Sequence, residues 1–231
     1  ANASHELRTP LNAIIGVSQL LQEDATDLGV EEDFTTDLEI INTSGKHLLE
    51  LINDILDLSK IEAGKMTLYP ETFEVLSLIK NLVLTIKPTI EKNGSSLEID
   101  YDGELGTMYQ DQTRVRQILL NLLSNASKFT KNGKVIVKIR REKDITASKA
   151  GEIITFIVKD TGIGMTESQL KQLFQPFTLG DASTTKKYGG TGLGLAITRH
   201  FCQMMGGDID VQSQFEVGST FSVLLPVSSE Q

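Results

Sequence analysis

The chain has one cysteine, no tryptophan and five prolines in 231 residues, and aromatic residues make up only 6% of it. A lone thiol, Cys202, closes no internal disulfide, so a packed core must supply the stability, and the count fits a reducing compartment. No apolar run approaches the roughly 18 to 20 residues of a membrane-spanning helix. No signal peptide opens the chain, whose first four residues lead straight into a helical pattern, as in a segment cut from a longer protein. The segment is expected to be cytoplasmic and to make no membrane contact itself, whether or not the larger protein is anchored. Basic residues are also short: 22 Lys and Arg stand against 31 Asp and Glu, a formal charge of -9, which argues against a nucleic-acid surface. What is present is ordinary for a folded chain, with 39% apolar residues and length enough for one large domain or two small ones.

The first 66 residues read as two helices. Leu7, Leu11, Ile14 and Leu21 form one stripe, interrupted by Ser18, and a loop follows over 24–30. In the second helix Phe34, Leu38, Ile41, Gly45, Leu48, Ile52 and Ile55 step by four and three, with Leu49, Leu56 and Ile61 widening the face. Two helices cannot cover faces of that width, so a homodimeric four-helix bundle is expected. The alternative is a hairpin docked on the remainder of the chain. Residues 67–231 alternate strand and helix signals. Strands are expected over 97–101, 134–140, 153–160 and 220–225, helices over 114–129 and 193–205, and a hairpin loop over the polar stretch 141–151. That pattern predicts an α+β domain whose sheet is antiparallel or mixed.

Four stretches carry residues suited to chemistry. In Ser4-His5-Glu6-Leu7-Arg8-Thr9-Pro10-Leu11, His5 points roughly 160–240° away from the leucine stripe on a helical wheel. Glu6 can accept an imidazole proton, Thr9 follows one turn later, and Pro10 should bend the helix. Alone, such a histidine is better read as a plain surface residue. In Asn121-Leu-Leu-Ser-Asn125-Ala-Ser-Lys128, the two asparagines and the lysine share a face about a quarter turn from the apolar Val115, Ile118, Leu119, Leu122 and Ala126. A carboxamide oxygen suits Mg²⁺ and an ammonium suits phosphate, though surface asparagines would look the same. Asp160-Thr-Gly162-Ile-Gly164-Met165 follows a strand; its acid could accept from an exocyclic amine where glycines let a flat ring approach, or could simply cap a turn. Gly189-Gly190-Thr191-Gly192-Leu193-Gly194-Leu195 opens a helix and resembles a phosphate cradle, with the polar run 178–188, holding Lys186 and Lys187, before it as a lid. It is neither a P-loop nor a Rossmann turn, and a flexible loop remains the other reading. Phe174 and Phe177 flank Pro176 and are expected in the core.

The order of these stretches resembles that of histidine kinases. Residues 4–11 resemble the H-box, 111–131 the N-box, 160–165 the first glycine box, 173–177 the F-box and 189–195 the second glycine box, while 48–65 resemble the end of the second bundle helix. The resemblance covers nearly the whole chain and implies a sensor histidine kinase catalytic core. Its fold would be a helical hairpin forming a dimeric four-helix bundle over 1–66, for dimerisation and histidine phosphotransfer, followed by an α+β two-layer sandwich over 67–231 that binds ATP. The implied roles are phosphoacceptor for His5, proton-handling acid for Glu6, and dephosphorylation of the partner for Thr9. Asn125 would ligate Mg²⁺, with Asn121 beside it and Lys128 on phosphate. Asp160 would take adenine, with Gly162 and Gly164 as its turn and Thr220 close by. Gly190, Thr191, Gly192, Leu193 and Gly194 would line the phosphates together with Lys186 and Lys187, which stand where many relatives place an arginine. The implied reaction is autophosphorylation of His5 and transfer to an aspartate of a response-regulator receiver domain, with phosphatase activity as well. The H-box and 204–225 are most similar to hybrid sensor kinases. Two rivals stand beside this reading. A gyrase-like ATPase would usually carry glutamate at Asn121, and a degenerate scaffold would have lost one of the boxes.

Overall fold

In the computed structural model the described residues are 2–27, 32–101, 103–144, 151–178 and 191–228. They fall into two compact units, Ala1–Met66 and Thr67–Gln231.

The first unit is a helical hairpin of α1 (Asn2–Asp27) and α2 (Glu32–Glu62). The helices run antiparallel: Ile15 lies against Gly45, and the Ser18 hydroxyl donates to the Leu38 carbonyl at 3.5 Å. Gly45 is required at that crossing, because a Cβ there would stand 2.8 Å from Ile15 Cγ1. The buried seam is Leu11, Ile15, Ser18 and Ala25 on α1 against Leu38, Asn42, Gly45 and Leu58 on α2. The expected stripe divides between the hairpin and the surface, with Leu11 inside. Ile14 is 52% and Leu21 43% exposed, and Ser18 belongs to the seam at 3%. The apolar arc of each helix is wider than one helix contact can cover, so one edge enters the hairpin and the other stays bare. On α2 the bare edge is Phe34, Ile41, Leu48 and Ile55, one residue per heptad. α1 also runs four residues, 24–27, into the segment expected as loop. Among the described residues no helix is long and apolar enough to cross a membrane.

The second unit layers helices on one face of a five-stranded sheet. Its elements are β1 (Glu71–Glu74), α3 (Val75–Lys92), β2 (Ser96–Tyr101), β3 (Thr107–Gln110), α4 (Gln112–Phe129), β4 (Lys134–Asp144), β5 (Gly151–Asp160), α5 (Glu167–Gln172), α6 (Gly194–Met204), β6 (Asp208–Gln214) and β7 (Gly218–Pro226). Strand order in the main sheet is β2-β4-β5-β7-β6, parallel between β2 and β4 and antiparallel elsewhere; β1 and β3 form a separate ribbon. Strand alternation sets the core: Ile154, Phe156 and Val158 of β5 and Phe221, Val223 and Leu225 of β7 are buried, while the residues between them are only partly covered or exposed. α3 contributes Leu78, Ile79, Leu82 and Ile90, α4 Ile118, Leu119 and Leu122, and α6 Phe201. Cys202 is buried with them, and desolvation pushes its thiol up to about 12, so it is an inert core residue.

Each strand and helix expected from the sequence is present, with bounds shifted by a few residues. The stretch 141–151 departs furthest, because Arg141–Asp144 prolong β4 in register with 151–154 of β5. Arg141 explains the extension: its guanidinium is anchored by the Leu105 carbonyl at 2.6 Å and by Glu152 at 2.6 Å, so a polar sequence still forms ordered strand. Phe174 and Phe177 are not core: Phe174 is partly covered and Phe177 is 64% exposed.

Candidate functional site

The period-2 alternation of β5 continues past Ile154, Phe156 and Val158 to place Asp160 on the buried face, 6% exposed, at the strand's end. An acid is thereby forced into the core side of the sheet. Its carboxylate accepts from the Gly162 amide at 2.8 Å. Burial pushes its pKa up, and the backbone amides of Gly162 and Ser219 pull in the opposite direction. Gly162 can only be glycine here, since a Cβ would strike the Phe129 carbonyl, and the Ile163 amide donates to that same carbonyl at 3.2 Å. Gly164 adopts a φ of 60° and lies against the Gln214 carbonyl. The Asp160 turn is thus stapled to the C-terminus of α4 on one side and to β6 on the other.

α4 starts on Asp111, whose side chain accepts from the Arg114 amide at 3.0 Å. Its apolar face, Val115, Ile118, Leu119, Leu122 and Ala126, is at most 4% exposed. Asn121, Asn125 and Lys128 lie a quarter turn away at intermediate exposure, on the face the sequence assigns them. The Lys128 ammonium sits 4.9 Å from the Phe129 ring centroid, and burial pushes its pKa down. Asn125 donates to Asn121 Oδ1 at 3.4 Å, and Asn121 donates to Thr198 Oγ1 on α6 at 2.9 Å. At the start of α6 a Cβ on Gly194 would stand 2.5 Å from Asn121 Oδ1. Gly192 has φ 69°, and a Cβ on it would stand 3.0 Å from the backbone of Phe177 and Thr178. The structure therefore brings three separate sequence stretches together: the polar face of α4 is bracketed by the Asp160 turn at its C-terminal end and by the Gly192–Gly194 turn beside Asn121.

Other residues stand apart from this cluster or outside the described residues. Lys186, Lys187 and Gly190 fall in the stretch that is not described. Thr191 Oγ1 accepts from the Leu193 amide at 3.0 Å, and Leu193 is buried. His5 and Glu6 lie in α1, with their side chains outside the description, and Thr9 is exposed on the same helix. Thr220 pairs with Lys159 and alternates to the sheet face away from Asp160. Its neighbour Ser219 pairs directly with Asp160, is 8% exposed and donates its amide there. Ser219 and Thr198 are the site residues that sequence reading misses. A one-residue strand register decides the first, and a contact across 77 positions decides the second. Arg199 stacks over Phe174 at 5.1 Å and reaches Asp208 at 3.8 Å, tying the residues before Thr178 to α6.

Residues 110–229 match the family described as histidine kinase-, DNA gyrase B- and HSP90-like ATPase, and residues 1–64 match the His Kinase A (phospho-acceptor) domain. Hybrid signal transduction histidine kinase B of Dictyostelium discoideum is 43% identical over 96% of this chain and 11% of its own length. Autoinducer 2 sensor kinase/phosphatase LuxQ of Vibrio vulnificus is 40% identical over 98% of this chain and 26% of its own length. The chain thus spans about a quarter or less of these relatives. The crystal structure of full-length ShkA in complex with AMPPNP superimposes with a TM-score of 0.77 at 30% identity, covering 98% of this chain and 45% of that one. With a phospho-acceptor domain followed by this ATPase domain, the chain belongs to the histidine kinase-, DNA gyrase B- and HSP90-like ATPase family and is a sensor histidine kinase catalytic core.

Proposed function

We propose that this core binds ATP with Mg²⁺, transfers the γ-phosphoryl group to His5, and passes it to an aspartate of a response-regulator receiver domain, from which it also removes phosphate. The observation that carries the reading is the bracketed face of α4. Asp160, its acid held in a nonpolar setting, faces an adenine amine. Lys128, its charge disfavoured by burial, gains from an anion. The α6 turn offers amides to phosphate. Among the described residues no cluster of three His, Cys, Asp or Glu exists to cage a metal. The donor set fits Mg²⁺ nonetheless, because that ion is commonly held by one or two protein oxygens together with substrate phosphates, and Asn125 Oδ1 is a hard oxygen. When bound, the ion would offset charge on the phosphates.

In the transfer the Pγ–O bond to ADP breaks and a Pγ–N bond to the His5 ring forms. Glu6 holds the imidazole so that the attacking nitrogen is unprotonated. The protein's part is positioning and charge neutralisation; base assistance of this kind is worth roughly 10²–10⁴-fold. Asn121, which cannot serve as a base for water, disfavours wasteful hydrolysis. Lys186, Lys187, Gly190, Thr191, Gly192, Leu193 and Gly194 would hold the phosphates, and Ser219 stands nearer than Thr220 to the adenine acid. A need for ATP supports a cytoplasmic setting for the segment. The test is incubation with γ-labelled ATP. Label that survives base and is lost in acid identifies phosphohistidine, and acid-stable label would rule it out.

The bare edges of the hairpin support a homodimer. Ile14, Val17, Leu20 and Leu21 on α1 and Phe34, Ile41, Leu48 and Ile55 on α2 are all at least 43% exposed, an apolar surface that a second hairpin would cover. Light scattering is expected to give twice the chain mass for the wild type and a monomer for the double variant Leu21→Glu, Leu48→Glu. A wild-type monomer at micromolar concentration counts against the bundle.

A further inference from the structure

We infer that Thr198, which lies in none of the sequence motifs, is a positioning residue that fixes which atom of Asn125 faces the cation, acting through Asn121. The inference rests on the proposal that Asn125 ligates Mg²⁺. A carboxamide has nearly the same shape after a half-turn, but one orientation offers an oxygen and the other an NH₂ group that repels a cation. Something must choose between them. Asn125 is only partly buried and sits on a helix face one turn after Asn121.

The choice is made one helix away. Thr198 is 2% exposed, so its hydroxyl competes with little water, and it accepts from Asn121 Nδ2 at 2.9 Å. With its nitrogen committed, Asn121 has its oxygen on the other side, against Gly194, where even a methyl group would stand 2.5 Å from it. That oxygen accepts from Asn125 Nδ2 at 3.4 Å. Flipping Asn125 would set two amide oxygens against each other, so its nitrogen stays inward and its Oδ1 is the atom left for a hard cation. In this arrangement the hydroxyl accepts, and the relay runs hydroxyl, amide, amide, cation. It starts one turn beyond Gly194, on the helix that opens with the phosphate-side glycines, so the ordering of α6 and the presentation of the cation ligand are coupled.

Three variants of the full chain test this by calorimetric ATP affinity, measured with Mg²⁺ and again in EDTA. Thr198→Val keeps the buried shape and removes the acceptor. The Mg²⁺-dependent tightening of ATP is expected to fall about tenfold, the lower end of what losing a group that orients a metal ligand costs, with affinity in EDTA unchanged. Thr198→Ser keeps the hydroxyl and is expected to retain the wild-type Mg²⁺ dependence. Asn125→Ala should remove that dependence. A packing role would instead weaken binding in both conditions, and Ser, the smaller residue, would fare worse than Val. Thr198→Val with wild-type Mg²⁺ dependence, or Ser behaving as Val, overturns the inference. Full Mg²⁺ dependence in Asn125→Ala overturns the cation assignment and with it the relay. If Val proves too unstable to purify, Thr198→Ala gives the same comparison.

Discussion

Replacing His5 by Gln is expected to abolish incorporation of label from γ-labelled ATP while leaving ATP binding at the wild-type level. Glutamine has comparable reach but no nucleophilic ring nitrogen, and His5 belongs to the helical unit rather than to the unit that holds Asp160 and α4. The chain has only three histidines. His200 engages the Ala196 carbonyl through Nδ1 at 2.9 Å inside α6. His47 is exposed on α2 and is followed directly by Leu48 and Leu49 rather than by an acid. Neither offers a substitute nucleophile next to an acid. Thr9 stands one helical turn after His5, is exposed, and has no part in the attack on ATP. Its hydroxyl is suited to orienting a water against a phosphoaspartate on a docked receiver. Thr9→Ala should therefore leave labelling within a few-fold and slow loss of phosphate from the partner. If Thr9 only supports the helix before Pro10, alanine would change both rates together or neither. Persistent labelling of His5→Gln would remove the central claim.

The long amphipathic segments could be read directly. Repeats of 3.5 to 3.6 residues specified α2 and α4, and period 2 specified β5 and β7, because in these the buried face alternates with a solvated one. Elements without that contrast were missed. β6, Asp-Ile-Asp-Val-Gln-Ser-Gln, is an edge strand with polar residues on most positions, and only Ile209 is buried. β1 and β3 are four residues each, too short for a period to show. α3 buries Leu78, Ile79, Leu82, Ile86 and Ile90 at helical spacing, but its β-branched residues and Pro88 blur the signal. Pro88 is tolerated because it falls in the last turns on the exposed side, where one lost hydrogen bond is solvated. In the hairpin, sequence told which residues are apolar but not which edge a single partner helix would take, so it did not separate Leu11, which enters the hairpin, from Ile14 and Leu21, which stay outside it. At the site, residues that meet others of their own motif, such as Asp160 with Gly162 and Asn121 with Asn125, were legible. Residues placed by register or by a distant contact, Ser219 and Thr198, were not.

The second large effect is expected at Asp160, where stability and function pull apart. Desolvation raises the folded-state pKa of this acid above its unfolded value. A group raised in this way stabilises the fold below its unfolded pKa, and that contribution is lost as pH climbs through the folded pKa. Once ionised, the nearly buried carboxylate is therefore a net cost to the domain without ligand. Asp160→Asn, which keeps an acceptor for the Gly162 amide and carries no charge, should melt at a higher temperature than wild type at neutral pH, and that advantage should shrink as pH falls into the range where Asp160 itself is protonated. On the proposed reading the charge is kept for a partner: an adenine amine would pair with it in a site where an unpaired polar group is costly. Asp160→Ala should accordingly weaken ATP binding at least about tenfold, roughly 1.4 kcal/mol. At an ATP concentration a hundred times the wild-type Kd, ligand would stabilise the wild type by roughly 2.7 kcal/mol and the alanine variant by about half of that. Melting each protein with and without ATP measures both halves of the claim. An alanine variant with wild-type ATP-induced stabilisation would sink the adenine assignment, and an asparagine variant less stable than wild type at neutral pH would show that the buried carboxylate serves the fold rather than the ligand.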